Sequence, residues 1–172
     1  MVNCWLYDKR SSSSYKLWFT ASTIYFWLYL FAFMKNKNIL FMCVANSARS
    51  QMAEGIAKKL YPNCIIQSAG SVPKEVNPNA ILVMGEIDID ISKHYSKDFE
   101  SLDSKFRDEL NTVFTLCKEE VCPVLNSKAQ ILSIPFDDPA SDRFSSNQLD
   151  KFREVRDSIF DKLKELKNLF EN

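Results

Sequence analysis

The feature of this sequence with the clearest chemical potential is a cysteine followed, after five intervening residues, by an arginine. Cys43 ends an apolar run, and Arg49 opens a stretch with helical periodicity. This spacing lets the loop curl so that successive backbone N–H groups point at one anion, while the guanidinium binds two of its oxygens. The same positive field stabilises the Cys43 thiolate and lowers its pKa. The sequence therefore predicts a nucleophilic thiolate in an oxyanion-binding loop, formed by Cys43, Val44, Ala45, Asn46, Ser47, Ala48, Arg49 and Ser50.

Two polar residues of this loop are predicted to support the thiolate. Ser50 is placed to donate a hydrogen bond to the Cys43 sulfur, and Asn46 to brace the loop through side-chain to backbone hydrogen bonds. Without its flanks, the pattern is also compatible with a buried cysteine at a strand end and a surface arginine. A preceding strand and a following serine-capped amphipathic helix favour the functional interpretation.

The elements that must position this loop alternate between strand and helix along the chain. A continuous apolar run before the loop is typical of a strand buried on both faces, and the apolar spacing after it predicts a helix. Strands that alternate with helices form a parallel sheet through right-handed crossovers, so the predicted fold class is α/β. The predicted strands are Asn38–Cys43, Cys64–Ser68, Asn111–Cys117 and Gln130–Ile134. The predicted helices cover about Arg49–Tyr61, a segment that starts at Asn77 and Pro78, and one long amphipathic stretch from Phe152 to Phe170.

Three segments with reactive side chains follow predicted strands. Cys43 and Cys117 each end one strand, and the segment 136–139, which contains Asp137 and Asp138, follows another. In parallel sheets the ligand site lies beyond the carboxyl ends of the strands. We therefore expect these three segments to converge on one edge of the sheet.

Composition narrows the class of protein. Lys plus Arg and Asp plus Glu each total 22 of the 172 residues, so no net charge points to nucleic acid as a partner. The five cysteines are odd in number and scattered, which favours reduced thiols in the cytosol over a secreted disulfide framework. His94 is the only histidine. Because a zinc site takes roughly four ligands, we expect no metal, and no other cofactor.

The N-terminal segment, residues 1–34, differs from the domain predicted for residues 35–172. Residues 17–34 are 18 residues without a charge, which is close to the lower limit of about 18 for a membrane helix. A membrane anchor would leave the catalytic domain in the cytoplasm. However, the sequence after Met34, which is Lys-Asn-Lys-Asn followed by a strand, also resembles the start of a soluble domain. We therefore favour a mis-assigned start codon, with residues 1–33 as sequence upstream of a cytoplasmic protein. Membrane contact is expected only if residues 17–34 are genuinely expressed, and an additional core element is the least favoured alternative.

Motifs spread over about residues 36–165 resemble those of a known family. They are Asn-Ser-Ala-Arg-Ser-Gln-Met-Ala-Glu-Gly (46–55), Ser-Ala-Gly (68–70), Val-Asn-Pro-Asn-Ala (76–80), Ile-Asp-Ile-Ser (89–92), Thr-Leu-Cys (115–117), Cys-Pro (122–123) and Phe-Asp-Asp-Pro-Ala (136–140). Together they resemble the low-molecular-weight protein tyrosine phosphatase superfamily and, within it, the thioredoxin-coupled arsenate reductases. The resemblance implies a four-stranded parallel sheet with helices on both faces, to which this chain adds a hydrophobic N-terminal extension.

The resemblance also implies roles for individual residues. Asp138 matches the family's general acid; Asp137 is the weaker candidate, and a simple turn residue before proline is the alternative for Asp138. In the reductases, the cysteine that matches Cys117 attacks the arsenylated Cys43 and releases arsenite. The cysteine that matches Cys122 then forms a disulfide with Cys117, which a thioredoxin-like electron donor reduces. The expected substrate is arsenate or a phosphate-like oxyanion, and the expected catalytic residues are Cys43, Arg49, Asp138, Cys117 and Cys122.

Two enzymatic functions share such a loop. A phosphatase for phosphotyrosine or small phosphoesters needs no further thiol, whereas a reductase must pass two electrons. Phosphatases of this superfamily usually carry an aromatic residue after the Asp-Pro pair, where this chain has Ala140. Ala140 and the two additional cysteines favour an arsenate reductase that serves arsenic detoxification over a low-molecular-weight protein tyrosine phosphatase. A non-catalytic oxyanion sensor is a third hypothesis, which the set of Cys43, Arg49 and Asp138 disfavours.

Three features depart from the family pattern. Relatives often have glycine at the position of Ala45 and cysteine at that of Ala48. Alanine fits at position 45 only if its φ is negative. Ala48 removes a thiol that can pair with Cys43, but the relay does not require that thiol. The interval from Cys117 to Cys122 is also shorter than in the best-known reductases.

Overall fold

Four parallel strands form the centre of the fold. The computed structural model describes residues 36–117 and 128–171. The strands are β1 (Asn38–Cys43), β2 (Ile65–Gly70), β3 (Leu110–Thr115) and β4 (Gln130–Ser133), in the spatial order β2-β1-β3-β4. All six residues of β1 are buried, because the strand pairs with β2 on one side and β3 on the other and helices cover both faces. The predicted α/β fold with a parallel sheet is confirmed.

Alternate side chains of β1 supply two hydrophobic cores, one on each face of the sheet. Ile39, Phe41 and Cys43 belong to the larger core, and Leu40 and Met42 to the smaller one. Cys43 therefore lies on the face that the larger core occupies. The helices are α1 (Arg49–Leu60), α2 (Pro78–Gly85), α3 (Ser104–Asp108), α4 (Gln148–Glu165) and α5 (Lys167–Glu171), with a 3₁₀ turn at Asp142–Phe144. The larger core includes residues of α1, α2, α4 and α5, whereas α3 contributes to the smaller one.

The observed elements differ from the predicted ones mainly at their ends. β2 extends to Gly70, two residues further than predicted, and β3 ends at Thr115, two residues before Cys117. The helical stretch predicted from Phe152 to Phe170 is confirmed, but it divides at Leu166 into α4 and α5. The division lets the Phe170 ring stack on Tyr61 with 4.0 Å between ring centroids.

The two helix starts near the loop differ in their capping. The predicted serine cap of α1 is wrong: its N-cap is Ala48, which provides no side-chain hydrogen bond. The positive end of α1 therefore faces the loop without a side-chain acceptor of its own. The predicted cap of α2 is confirmed. The side-chain oxygen of Asn77 accepts a hydrogen bond from the Asn79 N–H at 2.9 Å, and Pro78 occupies the first turn of the helix.

The predicted N-terminal segment, including the possible membrane span at residues 17–34, lies outside the described residues. In the part of the chain that is described, no helix has the length and apolar character needed to cross a bilayer.

Candidate active site

The loop between β1 and α1 is held in place by the segment that follows β2. The N–H groups of Val72, Lys74 and Asn77 donate to the carbonyl oxygens of residues 44, 45 and 47, at 2.9, 2.9 and 2.8 Å. In a trans peptide, the N–H group points in the direction opposite to the carbonyl that precedes it. Because these three loop carbonyls point towards the segment after β2, the N–H groups that follow them point away from that segment. None of the N–H groups of residues 45–48 donates to another residue in the described part of the chain. A loop with its carbonyls engaged and its N–H groups available is suited to binding an anion.

Asn46 braces the loop, but mainly through contacts with other side chains rather than the predicted side-chain to backbone hydrogen bonds. It has a φ of 46°, a left-handed conformation that asparagine adopts more readily than most residues. Its amide nitrogen donates to the hydroxyls of Ser50 and Ser68, both at 2.8 Å, and its amide oxygen accepts from the Lys97 N–H at 2.9 Å and from Gln51 at 3.1 Å. The amide of this fully buried side chain thus donates two hydrogen bonds and accepts two. These bonds stabilise the strained backbone at the centre of the loop. Ala45 has no positive φ, so alanine fits at its position.

Gly70, the last residue of β2, supports the loop from behind. A Cβ at this position would lie 2.6 Å from the Val44 carbonyl oxygen and 2.7 Å from the Asn46 nitrogen. Real Cβ atoms do not approach backbone this closely, so the loop and strand can pack here only around glycine.

Cys43 is buried at the base of this loop with its sulfur in contact with two hydrogen-bond donors. The pKa of Cys43 is lowered to about 6, chiefly by a hydrogen bond from the Cys117 thiol. Ser50 lowers this pKa further through its hydroxyl, 2.9 Å from the sulfur, and its backbone N–H, as does the charge of Arg49, while burial opposes them. The predicted contact between Ser50 and Cys43 is thus confirmed. A pKa of about 6 favours the thiolate form of Cys43 at neutral pH.

Cys117 has the opposite protonation. The hydrogen bond to Cys43 and the burial of its sulfur raise the pKa of Cys117, because both favour the neutral thiol beside an existing thiolate. Its position follows from the sheet: β3 lies next to β1, so Cys117, two residues beyond β3, comes to the same edge as Cys43. The two sulfurs form a pair in which the lowered pKa of Cys43 accompanies the raised pKa of Cys117.

Arg49 and Asp138 complete the opening of the site. Arg49 is buried and donates to the Phe136 carbonyl at 3.1 Å, and its other terminal nitrogen lies 3.8 Å from the Asp138 carboxylate. The Asp138 side chain is 45% exposed and accepts a hydrogen bond from the Ala140 N–H at 3.1 Å. Asp137 contacts Lys151 instead, at 3.6 Å. Of the two aspartates, Asp138 is the one placed to give a proton to a group held by Arg49.

A cavity of about 350 Å³ opens above the Cys43 sulfur and accommodates a tetrahedral oxyanion. Its lining combines the loop, the segment after β2 and the turn after β4, namely Cys43, Val44, Ala45, Ser47, Ala48, Arg49, Lys74, Glu75, Asn77, Asp138 and Ala140. Lys74 and Glu75 are additions to the residues that the sequence predicts. Within residues 36–117 and 128–171 no group of histidine, cysteine and carboxylate side chains is arranged to hold a metal.

The structure thus brings together Cys43, Arg49, Cys117 and Asp138, the four predicted catalytic residues that it describes. Cys122 lies outside the described residues. His94, the only histidine, contacts Gln51 at 3.0 Å through Nδ1 and is not among the residues that line the cavity above Cys43.

A buried polar network beneath the loop is absent from the sequence prediction. Glu54 of α1 accepts hydrogen bonds from Ser68 and Lys58, and the Lys97 ammonium lies 3.9 Å from its carboxylate. Ser68 in turn accepts from Asn46, so the network ends on the loop. The sequence does contain one signal for it, because Glu54 lies four residues after Ser50 and therefore on the same face of α1.

Comparison with known proteins gives relatives over almost the whole described part. The family model "Low molecular weight phosphotyrosine protein phosphatase" matches residues 38–171. Arsenate reductase 2 of Staphylococcus saprophyticus is 40% identical over 135 residues, which cover 77% of this chain and 97% of the relative. The arsenate reductase of Halalkalibacterium halodurans is 40% identical over 135 residues, 76% of this chain and 95% of that one. Among solved structures, an arsenate reductase in the phosphate-binding state has a TM-score of 0.65 at 30% identity, covering 78% of this chain and 99% of its own. An arsenate reductase in the oxidized state has a TM-score of 0.65 at 31% identity over the same shares.

Proposed function

The chain belongs to the low-molecular-weight phosphotyrosine protein phosphatase family, and from that premise we propose that it is an arsenate reductase, which converts arsenate to arsenite with cysteine thiols as the source of electrons. The observation that carries this proposal is the position of Cys117, which follows β3 beside β1 and acts on Cys43 closely enough to lower its pKa. A phosphatase needs only one thiol and water, whereas a reductase needs a second sulfur within reach of the first. In addition, relatives that match this chain over most of its length are named as arsenate reductases.

The first step is capture of the oxyanion and formation of a covalent bond. The N–H groups of residues 45–48, the start of α1 and the Arg49 guanidinium bind the arsenate oxygens. The Cys43 thiolate attacks arsenic, an S–As bond forms and one arsenate oxygen leaves as water after taking a proton from Asp138. Arsenic stays in its oxidised state through this step.

The second step transfers two electrons. The thiol of Cys117 stays protonated while Cys43 is a thiolate, because the pKa of Cys117 is raised by that neighbour. Once Cys43 is bound to arsenic its negative charge is gone, so the pKa of Cys117 falls and Arg49 favours its thiolate. Cys117 then attacks the Cys43 sulfur, an S–S bond forms, the S–As bond breaks and its electron pair reduces arsenic to arsenite. The protonation states of the pair thus impose the order of the two attacks.

The disulfide is then returned to thiols by exchange. Cys122 attacks Cys117, which frees Cys43 and leaves a Cys117–Cys122 disulfide, and a thioredoxin-like protein reduces that bond. The role of Cys122 and the identity of the donor are supported by the resemblance of the Cys117 and Cys122 motifs to the thioredoxin-coupled reductases. The cytosol is the matching compartment, because its thiols are kept reduced.

The position of Ala140 argues against phosphotyrosine as the main substrate. Ala140 lines the cavity beside Asp138, so the wall that would hold an aromatic ring is formed by a methyl group. The small oxyanion arsenate needs no such wall, since its contacts are with the loop and Arg49.

The test is a thiol count on reduced protein before and after one equivalent of arsenate. The expected result is the loss of two thiols together with release of arsenite, and arsenate-dependent NADPH oxidation when thioredoxin and its reductase are added. Cys122→Ser should complete about one turnover and stop, whereas Cys64→Ser, a variant of a cysteine outside the cavity, should turn over like the wild type. No loss of thiols, combined with hydrolysis of aryl phosphate that survives Cys117→Ser, would show a phosphatase instead.

A further inference from the structure

A second cavity, of about 360 Å³, lies between α1, β2 and the segment that follows α2, and it shares no lining residue with the cavity above Cys43. Its lining consists of Glu54, Lys58, Ile65, Ile66, Gln67, Lys93, His94, Tyr95 and Lys97. Three lysines thus face a single carboxylate. Burial lowers the pKa of His94, so its imidazole adds no charge at neutral pH. The excess of positive charge favours an anion as the occupant of this cavity.

Lys97 is a buried ammonium whose Nζ donates no hydrogen bond to any residue in the described part of the chain. Its side chain is 8% exposed, and the Glu54 carboxylate oxygen paired with it is 3.9 Å away, beyond hydrogen-bond distance. The Tyr95 ring lies on one side, with 4.7 Å between Nζ and the ring centroid. A buried ammonium without acceptors is costly. Because Lys97 lines the cavity, an oxyanion there would supply the acceptors.

The simpler explanation, that Lys97 serves only as the counter-ion of Glu54, does not fit the distances. The Glu54 oxygens already accept from two other groups, the Lys58 ammonium and the Ser68 hydroxyl, each at 2.5 Å. Lys58 is therefore the closer counter-ion, and its charge is balanced. Lys93 is exposed and also lines the cavity. Two lysine charges, those of Lys93 and Lys97, are left for another partner.

We propose that this cavity is a second anion-binding site, which takes a small multivalent oxyanion such as inorganic phosphate. Lys97 makes the inner contact because it is buried, and Lys58 and Lys93 contribute from the more exposed side. A dianion matches the excess charge of the lining. The volume is close to the 350 Å³ of the cavity above Cys43, which accommodates an anion of this size. The site goes beyond arsenate reduction and does not depend on it.

The segment that lines this cavity also holds the anion loop. The Lys97 N–H donates to the side-chain oxygen of Asn46 at 2.9 Å, and the Ser96 hydroxyl donates to the Asn46 carbonyl at 2.6 Å. An oxyanion bound to both Lys97 and Lys58 links this segment to α1, and so restricts the movement of Asn46. Occupancy of the second site therefore stabilises the folded protein around the loop.

The experiment is a titration of reduced full-length protein with inorganic phosphate, followed residue by residue through the backbone amides in NMR spectra. The amides of residues 44–50 report on the loop, and those of residues 65–67 and 93–95 report on the second cavity. Both sets should respond in the wild type. In Arg49→Met the response of the loop should be weakened or lost, whereas the response of the second set should persist.

Two lysine variants give the second site its own test. Lys93→Gln should weaken phosphate binding at the second set by about two- to fivefold and leave the loop response unchanged. Lys97→Met should weaken it by about tenfold or more. Because Lys97→Met also alters the surroundings of a buried carboxylate, Lys93→Gln decides the outcome if the former variant does not fold.

Lys59→Gln is the matched control. It removes the same charge from α1 at the position next to Lys58, but the Lys59 ammonium donates to the Ile87 carbonyl at 2.9 Å, and Lys59 does not line the cavity. This variant should bind phosphate at both sets as the wild type does.

Three results would overturn the proposal. The first is no response of residues 65–67 and 93–95 to phosphate. The second is loss of their response together with that of the loop in folded Arg49→Met, which would show that they only report occupancy of the loop. The third is equal weakening in Lys93→Gln and Lys59→Gln, which would show general attraction to positive charge. None of these measurements uses arsenate turnover, so the proposed function and the second site can fail independently.

Discussion

Replacing Cys117 by alanine is expected to raise the pKa of Cys43. The Cys117 thiol donates the hydrogen bond that contributes most to the lowered pKa of about 6. A hydrogen bond to a charged group contributes about 2 kcal/mol, and one pKa unit corresponds to about 1.4 kcal/mol, so its loss should raise the pKa by about 1.5 units. The thiolate fraction at pH 7 should then fall from about nine-tenths to about a quarter.

The pKa is measured from the pH dependence of Cys43 alkylation by iodoacetamide, with peptide mass spectrometry to separate Cys43 from the other cysteines. Cys117→Ser is the matched control, because its hydroxyl can still donate to the thiolate and the shift should be smaller. Ser50→Ala removes a different donor, whose oxygen is 2.9 Å from the sulfur, and should raise the pKa while Cys117 is intact. An alkylation profile that is the same in Cys117→Ala and in the wild type would refute the assignment of Cys117 as the main donor.

Four further outcomes follow from the geometry of the site. Asp138→Asn should slow arsenate turnover by about 10² to 10⁴-fold, measured by steady-state kinetics, without weakening phosphate binding by calorimetry; weaker binding would assign Asp138 to the anion site. Arg49→Lys should weaken phosphate binding by about tenfold or more, because lysine cannot form the bidentate hydrogen bonds of the guanidinium. Equal affinity would contradict the role of the guanidinium. Because the pKa of Cys43 is lowered to about 6 in the folded protein, its ionisation stabilises the fold as the pH rises from there towards 9.0, the ordinary pKa of a cysteine. The free energy of unfolding in urea should therefore rise more between pH 6 and 8 in the wild type than in Cys43→Ser. Gly70→Ala should lower that free energy by about 1–3 kcal/mol, and an unchanged urea midpoint would contradict the close contact.

The anion loop can be predicted from sequence because its determinants are local. Cys43 and Arg49 act through their spacing, and the apolar run before them indicates a central strand that fixes where the loop begins. The placement of Cys117 and of the segment with Asp138 near this loop is predictable because the carboxyl ends of parallel strands share an edge, whereas their individual roles come from the family resemblance. The inference about placement uses only the order of the elements along the chain.

The support beneath the loop could not be predicted in the same way. Glu54, Ser68 and Lys97 come from a helix, a strand and a loop, and only the packed fold brings them together. The serine cap expected for α1 is wrong for a physical reason as well: the residue before the helix is Ala48, and the chain there is shaped by the bonds that hold the loop to the segment after β2 rather than by a capping side chain. At this helix start, the backbone geometry that anion binding requires outweighs the usual preference for a capping side chain.

Gly70 limits where the substrate range of this enzyme can be altered. The inner wall of the site has no free volume behind it, because the strand carrying Gly70 touches the loop backbone directly. A change there alters the position of every N–H group in the loop at once, and so affects all oxyanions alike. Discrimination between a small oxyanion and a larger ester must therefore arise from other lining residues of the cavity, among which are Lys74, Glu75 and Ala140. Directed evolution towards larger esters should accordingly accumulate its substitutions at those three positions and leave Gly70 untouched.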